Sequence, residues 1–269
     1  MENNPEVLIK THLEYIKAGA SCITTASYQA SIKGLQEIGY TKDKAEQLIL
    51  SSVDLVETAI QQALDLNFIT KRPFIAGSIG PYGAYLADGS EYRGDYGISD
   101  SELIEFHQGR IGLLDISAAD ILACETIPSI QEGKVLSDLL SASQKPSWIS
   151  FSCQDGQHLN DGSKISETVS LFKNHPNVFA VGANCTNPSF ISEIILTIKK
   201  ADIDKKIIVY PNSGEAYNAK TKKWMGLTEP ISFIEMTEEW RNLGADIIGG
   251  CCRIGPDHIH SLVENTSKN

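Results

Sequence analysis

The chain has 269 residues, of which 42% are hydrophobic and 21% are charged, and its formal net charge is −11. This composition excludes a disordered, collagen-like or coiled-coil chain, and the negative charge argues against nucleic-acid binding. No apolar segment approaches the ~18 residues of a membrane span, and the N-terminus shows no signal-peptide pattern. Six cysteines are too few for a disulfide scaffold, so we expect a cytoplasmic protein without a membrane partner.

The predicted elements alternate between helices and short strands. A first helix begins near Asn4 and Pro5, which suit a helix N-terminus, and ends near Gly19. A second follows Thr41, and a third follows a capping box at 99–102. Further helical stripes occur at 191–198 and 233–243. Short apolar runs predict seven strands, at Ser21–Ser27, Pro73–Gly77, Asp120–Glu125, Trp148–Ser152, Val178–Gly182, Lys206–Tyr210 and Asp246–Gly249.

Short apolar strands alternating with helices are typical of a parallel sheet that is buried on both faces. We therefore predict an α/β fold of the (β/α)₈ TIM-type barrel class, as a single domain over residues 1–269. A closed barrel of this class needs eight strands, and seven are visible. No stretch before Ser21 resembles a strand, so the expectation is that the chain begins after the first strand of the barrel.

Polar and glycine-rich segments follow the predicted strand ends. In a barrel these loops converge on one face, where such enzymes place their chemistry. The segments are Gly77–Tyr96, Cys124–Thr126, Asn184–Asn187, Pro211–Glu215 and Gly249–Arg253.

Three cysteines fall in these loops, namely Cys185 and the adjacent pair Cys251 and Cys252. Neighbouring strand residues point to opposite sides, so both members of the pair can reach one ion only where the strand bends, which Gly249-Gly250 permits. Three thiolates with one open position describe a catalytic zinc site. Two alternatives are small buried hydrophobic cysteines and a strained vicinal disulfide. For Cys22, Cys124 and Cys153 we prefer the buried role.

The charge of this site favours alkyl transfer to sulfur. Three thiolates and Zn²⁺ sum to −1, which makes a poor Lewis acid but still holds a substrate thiol as the nucleophilic thiolate. Hydrolytic zinc sites usually contain histidines, and no His-Glu-x-x-His motif is present.

Two other features allow more than one interpretation. Glu125 ends an apolar strand, so it needs a cationic partner, which is either a core arginine or a substrate ammonium group. The segment with Tyr82, Tyr85, Asp88 and Tyr92 suits a cationic methyl donor, because aromatic faces attract cations. An ordinary tyrosine-rich loop packed on the barrel rim explains it equally well.

Several motifs together resemble the zinc-dependent homocysteine S-methyltransferase family, over about Asn4 to Leu262. They are Gly182-Ala-Asn-Cys185, Gly249-Gly-Cys-Cys-Arg253, Ala18-Gly-Ala20, Thr25-Ala-Ser-Tyr-Gln-Ala-Ser31, Cys124-Glu-Thr126 and Tyr210-Pro-Asn-Ser-Gly-Glu215. The run Gly80–Tyr96 is similar to that of the branch that uses S-methylmethionine or S-adenosylmethionine. The resemblance implies a (β/α)₈ barrel that methylates L-homocysteine to methionine.

Carried onto this chain, the resemblance implies a role for individual residues. Cys185, Cys251 and Cys252 would bind zinc, and Glu125 would hold the substrate ammonium. Asn184 would order the loop beside the metal, and the Ser27-Tyr28 backbone would lie near the amino-acid end of homocysteine. Tyr82, Tyr85, Asp88 and Tyr92 would form the donor side.

The chain departs from the family pattern at its start, where an Asp-Gly turn after an earlier strand is missing. One alternative is therefore a truncated, catalytically impaired barrel that binds zinc without turnover. Another is a zinc hydrolase on the same fold, which the all-thiolate ligand set disfavours. The expected partners are L-homocysteine and a sulfonium donor, and the expected assembly is a monomer or a small homo-oligomer.

Overall fold

The computed structural model describes residues 2–214, 216–218, 223–225 and 233–266. The helices are α1 (Pro5–Lys17), α2 (Ile32–Glu37), α3 (Lys42–Asp65), α4 (Tyr82–Leu86), α5 (Asp100–Ile116), α6 (Ile130–Leu140), α7 (Ile165–Ser170), α8 (Ile191–Lys200), α9 (Phe233–Leu243) and α10 (Pro256–Thr266). The strands are β1 (Cys22–Thr24), β2 (Phe74–Ile79), β3 (Ile121–Ile127), β4 (Ser147–Phe151), β5 (Val178–Asn184), β6 (Lys206–Tyr210), β7 (Ala216–Asn218), β8 (Lys223–Met225) and β9 (Ile247–Ile248).

Seven of these strands form one parallel sheet in the order β1-β2-β3-β4-β5-β6-β9. They coincide with the seven predicted strands, so the α/β class and the parallel sheet are confirmed. The sheet curls, and the helices next to its two edges meet, since the Tyr15 hydroxyl of α1 donates to the Ile254 carbonyl before α10 at 2.8 Å. The prediction missed a small antiparallel hairpin of β7 and β8.

The helix termini largely follow the predicted capping chemistry. Thr41 accepts a hydrogen bond from the Lys44 amide, and Ser99 with Glu102 forms the complete capping box of α5. Gly19 follows the end of α1 with a φ of +94°, a conformation that favours glycine. The prediction for Asn4 was wrong in one respect, because its side chain makes no capping hydrogen bond.

The two faces of the sheet have different roles because side chains alternate along each strand. The outer face packs under the helices with large aliphatic residues such as Ile75, Leu122 and Val181. The inner face alternates small and large residues, so that the Trp148 indole fills space beside Ala123 and Ala180. Closer to the carboxyl ends of the strands, the inner face becomes polar, with Ser78, Glu125, Ser150, Asn184 and Tyr210.

No described helix has the length and apolar character needed to cross a membrane.

Candidate metal centre and substrate pocket

The structure brings the three cysteines together at the carboxyl edge of the sheet. Cys185 follows β5 directly, and the other two follow β9, which ends at Ile248. The ladder hydrogen bonds continue to the Cys251 amide, which donates to the Pro211 carbonyl at 2.9 Å, and the chain turns directly afterwards, because the Ile254 amide donates to the Cys251 carbonyl at 3.1 Å. The Sγ atoms of Cys185, Cys251 and Cys252 all lie within 4.8 Å of one another. Within the described ranges no other such group of His, Cys, Asp or Glu is found.

The sulfur atoms differ in their bonding. Cys185 and Cys251 are joined as a disulfide, and the Sγ of Cys252 lies 3.8 Å from that of Cys185. The vicinal disulfide considered for Cys251 and Cys252 is therefore not the pairing in the structure. Cys124 and Cys153 are buried as predicted, whereas Cys22, for which the same role was predicted, is only partly buried. Burial raises the pKa of the Cys124 and Cys153 thiols to about 12. Both thus stay protonated.

Glu125 points into the curled sheet and accepts hydrogen bonds from two hydroxyls. Ser78 donates to Oε1, and Tyr210 donates to Oε2 at 3.0 Å. Burial raises the pKa of Glu125, and the two hydroxyls partly offset that effect. No ion pair to Glu125 occurs in the part of the chain that the structure describes, so the alternative of a core arginine as its partner is not found. A buried carboxylate held only by neutral donors can accept a cationic ligand.

Asn184 connects the cysteine cluster with Glu125. Its Oδ1 accepts from the Thr126 amide at 2.6 Å, and its Nδ2 donates to the Thr126 hydroxyl at 2.8 Å. The Ser150 hydroxyl donates to the same Oδ1 at 2.8 Å. Thr126 has a φ of +62°, which is uncommon for a β-branched residue, and the paired bonds from Asn184 hold it there. The Asn184 side chain therefore orders the backbone next to Glu125, and Asn184 itself immediately precedes Cys185 in the chain.

Ser27 and Tyr28 are attached to the end of β2. The Ser27 hydroxyl donates to the Ser78 carbonyl at 2.7 Å and pairs with the Thr25 hydroxyl at 2.7 Å. The Tyr28 carbonyl accepts from the Gly80 amide at 3.2 Å. Because Ser78 also contacts Glu125, the structure places this backbone segment beside the carboxylate.

Two of the four tyrosine-loop residues pack on α5. The rings of Tyr82 and Tyr85 lie 5.0 and 5.5 Å from the Phe106 ring, centroid to centroid. The Tyr85 hydroxyl donates to Glu37 at 2.7 Å, which raises its pKa to about 12. These contacts join helices rather than line the cysteine cluster.

The other two residues of that loop lie in different environments. Asp88 accepts from the Ser90 amide at 2.9 Å and from Arg93 at 3.4 Å, so its contacts stay within the loop. Tyr92 is half exposed, and the pKa of its hydroxyl is raised by burial and by the charge of Cys252. Of the four predicted donor-side residues, Tyr92 is the one that interacts electrostatically with the cysteine cluster in the described structure.

A buried charged network lies beneath these loops. The Arg110 Nη2 donates to His107 Nδ1 at 3.2 Å, so Nδ1 is an acceptor and Nε2 carries the proton. Nε2 then donates to Glu132 Oε1 at 2.8 Å. Burial lowers the pKa of His107, which keeps the imidazole neutral, and lowers that of Arg110 to about 10. The network is therefore a guanidinium and a carboxylate bridged by a neutral histidine.

This network holds the loops that follow β1 and β2. Arg110 donates to three backbone carbonyls, and Glu132 accepts from one amide and one hydroxyl. The partners are Tyr28, Ala30 and Gly80 for Arg110, and Tyr82 and Tyr96 for Glu132.

Sequence reasoning missed the polar residues that lie inside the strands. Ser78, Ser150 and Tyr210 line the pocket and were not predicted as site residues. Each is a polar residue near the end of an otherwise apolar strand, in register with the inward positions of its neighbours. The sequence shows only that they are polar residues near the ends of apolar strands, and the inward direction of each side chain needs the structure.

A family model for homocysteine S-methyltransferase matches residues 1–266. The chain belongs to the homocysteine S-methyltransferase family. Homocysteine S-methyltransferase YbgG of Bacillus subtilis is 44% identical, over 96% of this chain and 83% of its own length. Crystal structures of the homocysteine methyltransferase MmuM from Escherichia coli cover 98% of this chain. The oxidized form has 38% identity, a TM-score of 0.88 and 85% coverage of its own chain. The metallated form has 37% identity, a TM-score of 0.87 and 86% coverage.

Within this family, a metal-bound relative shares the fold of the present chain. The cluster of three cysteines is the group of described residues that could hold a metal ion here.

Proposed function

We propose that the chain transfers a methyl group from a sulfonium donor to the thiolate of L-homocysteine, forming methionine, with zinc bound by Cys185, Cys251 and Cys252. The observation that supports this most directly is the cluster of three sulfurs beside a buried carboxylate that has no cationic partner among the described residues. The relatives reported above are named as homocysteine methyltransferases, which supports the proposal. S-Methylmethionine and S-adenosylmethionine are the two candidate donors.

The residues present fit a zinc ion. Zn–S bonds of about 2.3 Å in a tetrahedral arrangement separate the sulfurs by roughly 3.8 Å, and the Sγ atoms of Cys185 and Cys252 are 3.8 Å apart. Ligation needs the reduced form of the Cys185–Cys251 pair, because a disulfide has no thiolate to offer. The cytoplasm supplies such a reducing environment, and we place the protein there.

When bound, zinc would hold the homocysteine sulfur as a thiolate, which is the nucleophilic form. The remaining work belongs to the residues of the chain. Glu125 accepts the substrate ammonium group, which supplies the cation that the buried carboxylate lacks. Asn184 fixes the Thr126 backbone and so sets the position of Glu125 relative to Cys185. The thiolate attacks the methyl carbon in line with the bond to the donor sulfur, and the donor leaves as a neutral thioether.

The fold completes this proposal. The seven parallel strands correspond to strands of a (β/α)₈ barrel, in a single homocysteine-binding domain over residues 1–269 that acts as a monomer or a small homo-oligomer. The polar residues at the carboxyl ends of the strands occupy the face where barrels of this class place their active sites.

Methionine formation by the reduced, zinc-loaded protein tests the proposal, with homocysteine and S-methylmethionine as substrates. We expect one zinc per chain and steady turnover. Cys252→Ala is expected to lose both zinc and turnover, because it removes one ligand. Cys22→Ala is the matched control, since Cys22 lies in β1 outside the cluster, and it is expected to keep both.

Two outcomes contradict the proposal in different ways. Zinc binding without methionine formation from any sulfonium donor would identify a non-catalytic zinc protein. Release of a product without a thiol acceptor would identify a hydrolase.

A further inference from the structure

The segment that follows α4 lies directly over the ends of β3 and β4. The Ser152 hydroxyl donates to the Glu91 carbonyl at 3.1 Å and also lies 3.4 Å from the Thr126 carbonyl. The Glu91 backbone is thus adjacent to the Glu125-Thr126 end of β3. It is also packed tightly, because a Cβ at Gly83 would collide with the Glu91 amide. Glu91 therefore has a defined place beside the proposed homocysteine pocket.

The Glu91 carboxylate has an unsatisfied oxygen. Its Oε2 is buried and has no hydrogen-bond partner in the structure. Arg93, two residues further along the chain, donates instead to Asp88 at 3.4 Å and to the Ser90 hydroxyl at 2.7 Å. Burial raises the pKa of Glu91 and the charge of Asp88 adds to this effect, against a hydrogen bond from the backbone amide of Glu91 itself and the smaller effect of Arg93. A buried carboxylate oxygen without a donor is costly, and a bound cation would remove that cost.

Tyr92 follows Glu91 in the chain, and the Tyr28 hydroxyl forms a hydrogen bond with Thr126. Burial raises the pKa of both tyrosines, and the charge of Glu91 adds a smaller effect. Glu91 therefore lies beside the Thr126 end of β3, next to the proposed ammonium pocket. A carboxylate next to aromatic rings is a favourable environment for an onium cation.

We propose that Glu91, with Tyr28 and Tyr92, binds the positively charged onium centre of the methyl donor. This inference rests on the function proposed above and identifies a second, separate negative group, since Glu125 serves the ammonium group of the acceptor. Glu91 thus determines that the donor is a cation rather than a neutral molecule.

The charge change during the reaction distinguishes a role of Glu91 in binding the donor from a role in accelerating the methyl transfer itself. The homocysteine sulfur forms a new bond to the methyl carbon, the bond from that carbon to the donor sulfur breaks, and its electron pair stays on the donor sulfur. The positive charge beside Glu91 therefore disappears as the reaction proceeds. A carboxylate there stabilises the bound donor more than the transition state, so its removal raises KM for the donor and does not lower kcat.

Calorimetric titration of the Glu91→Gln variant with S-methylmethionine and with methionine tests the proposal. We expect the Kd for S-methylmethionine to rise at least 10-fold and the Kd for methionine, a neutral thioether, to stay within 2-fold. In turnover, KM for the donor is expected to rise at least 10-fold, with kcat equal to or higher than that of the wild type and KM for homocysteine within 2-fold. The control is Asp95→Asn, which removes an exposed acid from the same loop and is expected to behave as the wild type.

Titrations with S-adenosylmethionine and with betaine separate the possible donors. A Glu91-dependent Kd for either one supports recognition of the onium centre and identifies which donors the site accepts. The proposal is overturned if Glu91→Gln binds every onium compound as tightly as the wild type. It is also overturned if the affinity for methionine falls as much as that for S-methylmethionine. Wild-type protein that binds S-methylmethionine in a Glu91-dependent way without forming methionine contradicts the proposed reaction and leaves this binding role standing.

Discussion

Three residues at the carboxyl edge of the sheet have backbone conformations that are uncommon for residues other than glycine. Thr126, Cys185 and Arg253 have φ values of +62°, +46° and +70°. Cys185 is a proposed zinc ligand, and the other two follow a proposed substrate-binding residue and a proposed zinc ligand. Such conformations cost of order 1–3 kcal/mol each and persist only where the surroundings enforce them. For Thr126 the enforcing contacts are the paired hydrogen bonds from Asn184. Asn184 thus fixes the backbone immediately after Glu125, and Asn184 itself immediately precedes Cys185 in the chain.

The role of Glu125 can be tested with one substitution and two acceptors. Glu125→Gln keeps the shape but loses the charge, so a charge-assisted hydrogen bond of about 1.5–3 kcal/mol to the ammonium group is lost. We expect KM for homocysteine to rise by roughly 10- to 150-fold. An acceptor that lacks the amino group, 4-mercaptobutanoate, is the control, because it cannot use this bond.

Wild type and Glu125→Gln should therefore methylate 4-mercaptobutanoate with similar KM values. If KM rises by the same factor with both acceptors in Glu125→Gln, then Glu125 maintains the structure of the pocket and does not bind the ammonium group.

At the scale of elements, α5 and α6 hold the active-site loops through a buried charge pair. His107 bridges Arg110 of α5 and Glu132 of α6, and the side chains of His107 and Glu132 are fully buried. Breaking a buried pair by removing one charge typically costs 3–5 kcal/mol, because the other charge remains without compensation.

Glu132→Gln is therefore expected to lower the free energy of unfolding by about 3 kcal/mol in urea denaturation. Glu105→Gln is the matched control, since Glu105 is an exposed acid on α5, and a change within about 0.5 kcal/mol is expected. Equal free energies of unfolding for the two variants would mean that the Glu132 carboxylate is not required to compensate the buried charge of Arg110.

α1 contains a histidine that makes the fold sensitive to acid. His12 is 8% exposed, its Nε2 has no hydrogen-bond partner, and burial lowers its pKa from 6.5 to about 4. Because the unfolded chain binds the proton first as pH falls, His12 contributes stability above pH 6.5 that is lost between pH 6.5 and about pH 4.

Over that range His12 is expected to remove about 3 kcal/mol of the free energy of unfolding. His12→Leu should flatten the pH dependence in this window, whereas His260→Gln should not, because His260 is exposed on α10. Urea denaturation at half-unit pH steps measures both. An unchanged slope in His12→Leu would contradict the assignment.

The elements themselves could be predicted from the sequence to different degrees. The seven strands of the sheet coincide with apolar runs because strands buried on both faces need apolar residues at successive positions. The β7–β8 hairpin was missed because two strands of three residues leave no periodicity to recognise. The network of Arg110, His107 and Glu132 was missed because helical spacing does not show which residue of another helix will be the partner.

At the scale of the whole molecule, the site depends on how the sheet curls. Cys185, Glu125 and Asn184 could be predicted because they lie at or just after strand ends, and the order of strands and helices places such residues on one face. Ser150 and Tyr210 could not, because a polar residue within a strand shows its direction only when the inner face is known. The disulfide between Cys185 and Cys251 likewise needs the structure, since 66 residues separate the two cysteines.

The cysteine cluster joins distant parts of this curled sheet, since Cys185 follows β5 and Cys251 and Cys252 follow β9. Zinc that binds only the folded chain should therefore stabilise the whole molecule. At a free zinc concentration 1,000 times the Kd, the gain is about 4 kcal/mol. For a domain of this size that corresponds to a rise of roughly 8–16 °C in Tm.

Differential scanning calorimetry of the reduced protein, with and without buffered zinc, measures this gain. We expect Cys22→Ala to show the full rise in Tm, because its thiol lies outside the cluster. Cys252→Ala should show little of it, and so should protein kept in the Cys185–Cys251 disulfide form, because in each case fewer than three thiolates are available. A rise in Tm that is equal in all four samples would place the zinc at another site and would separate the stability of the fold from the cysteine cluster.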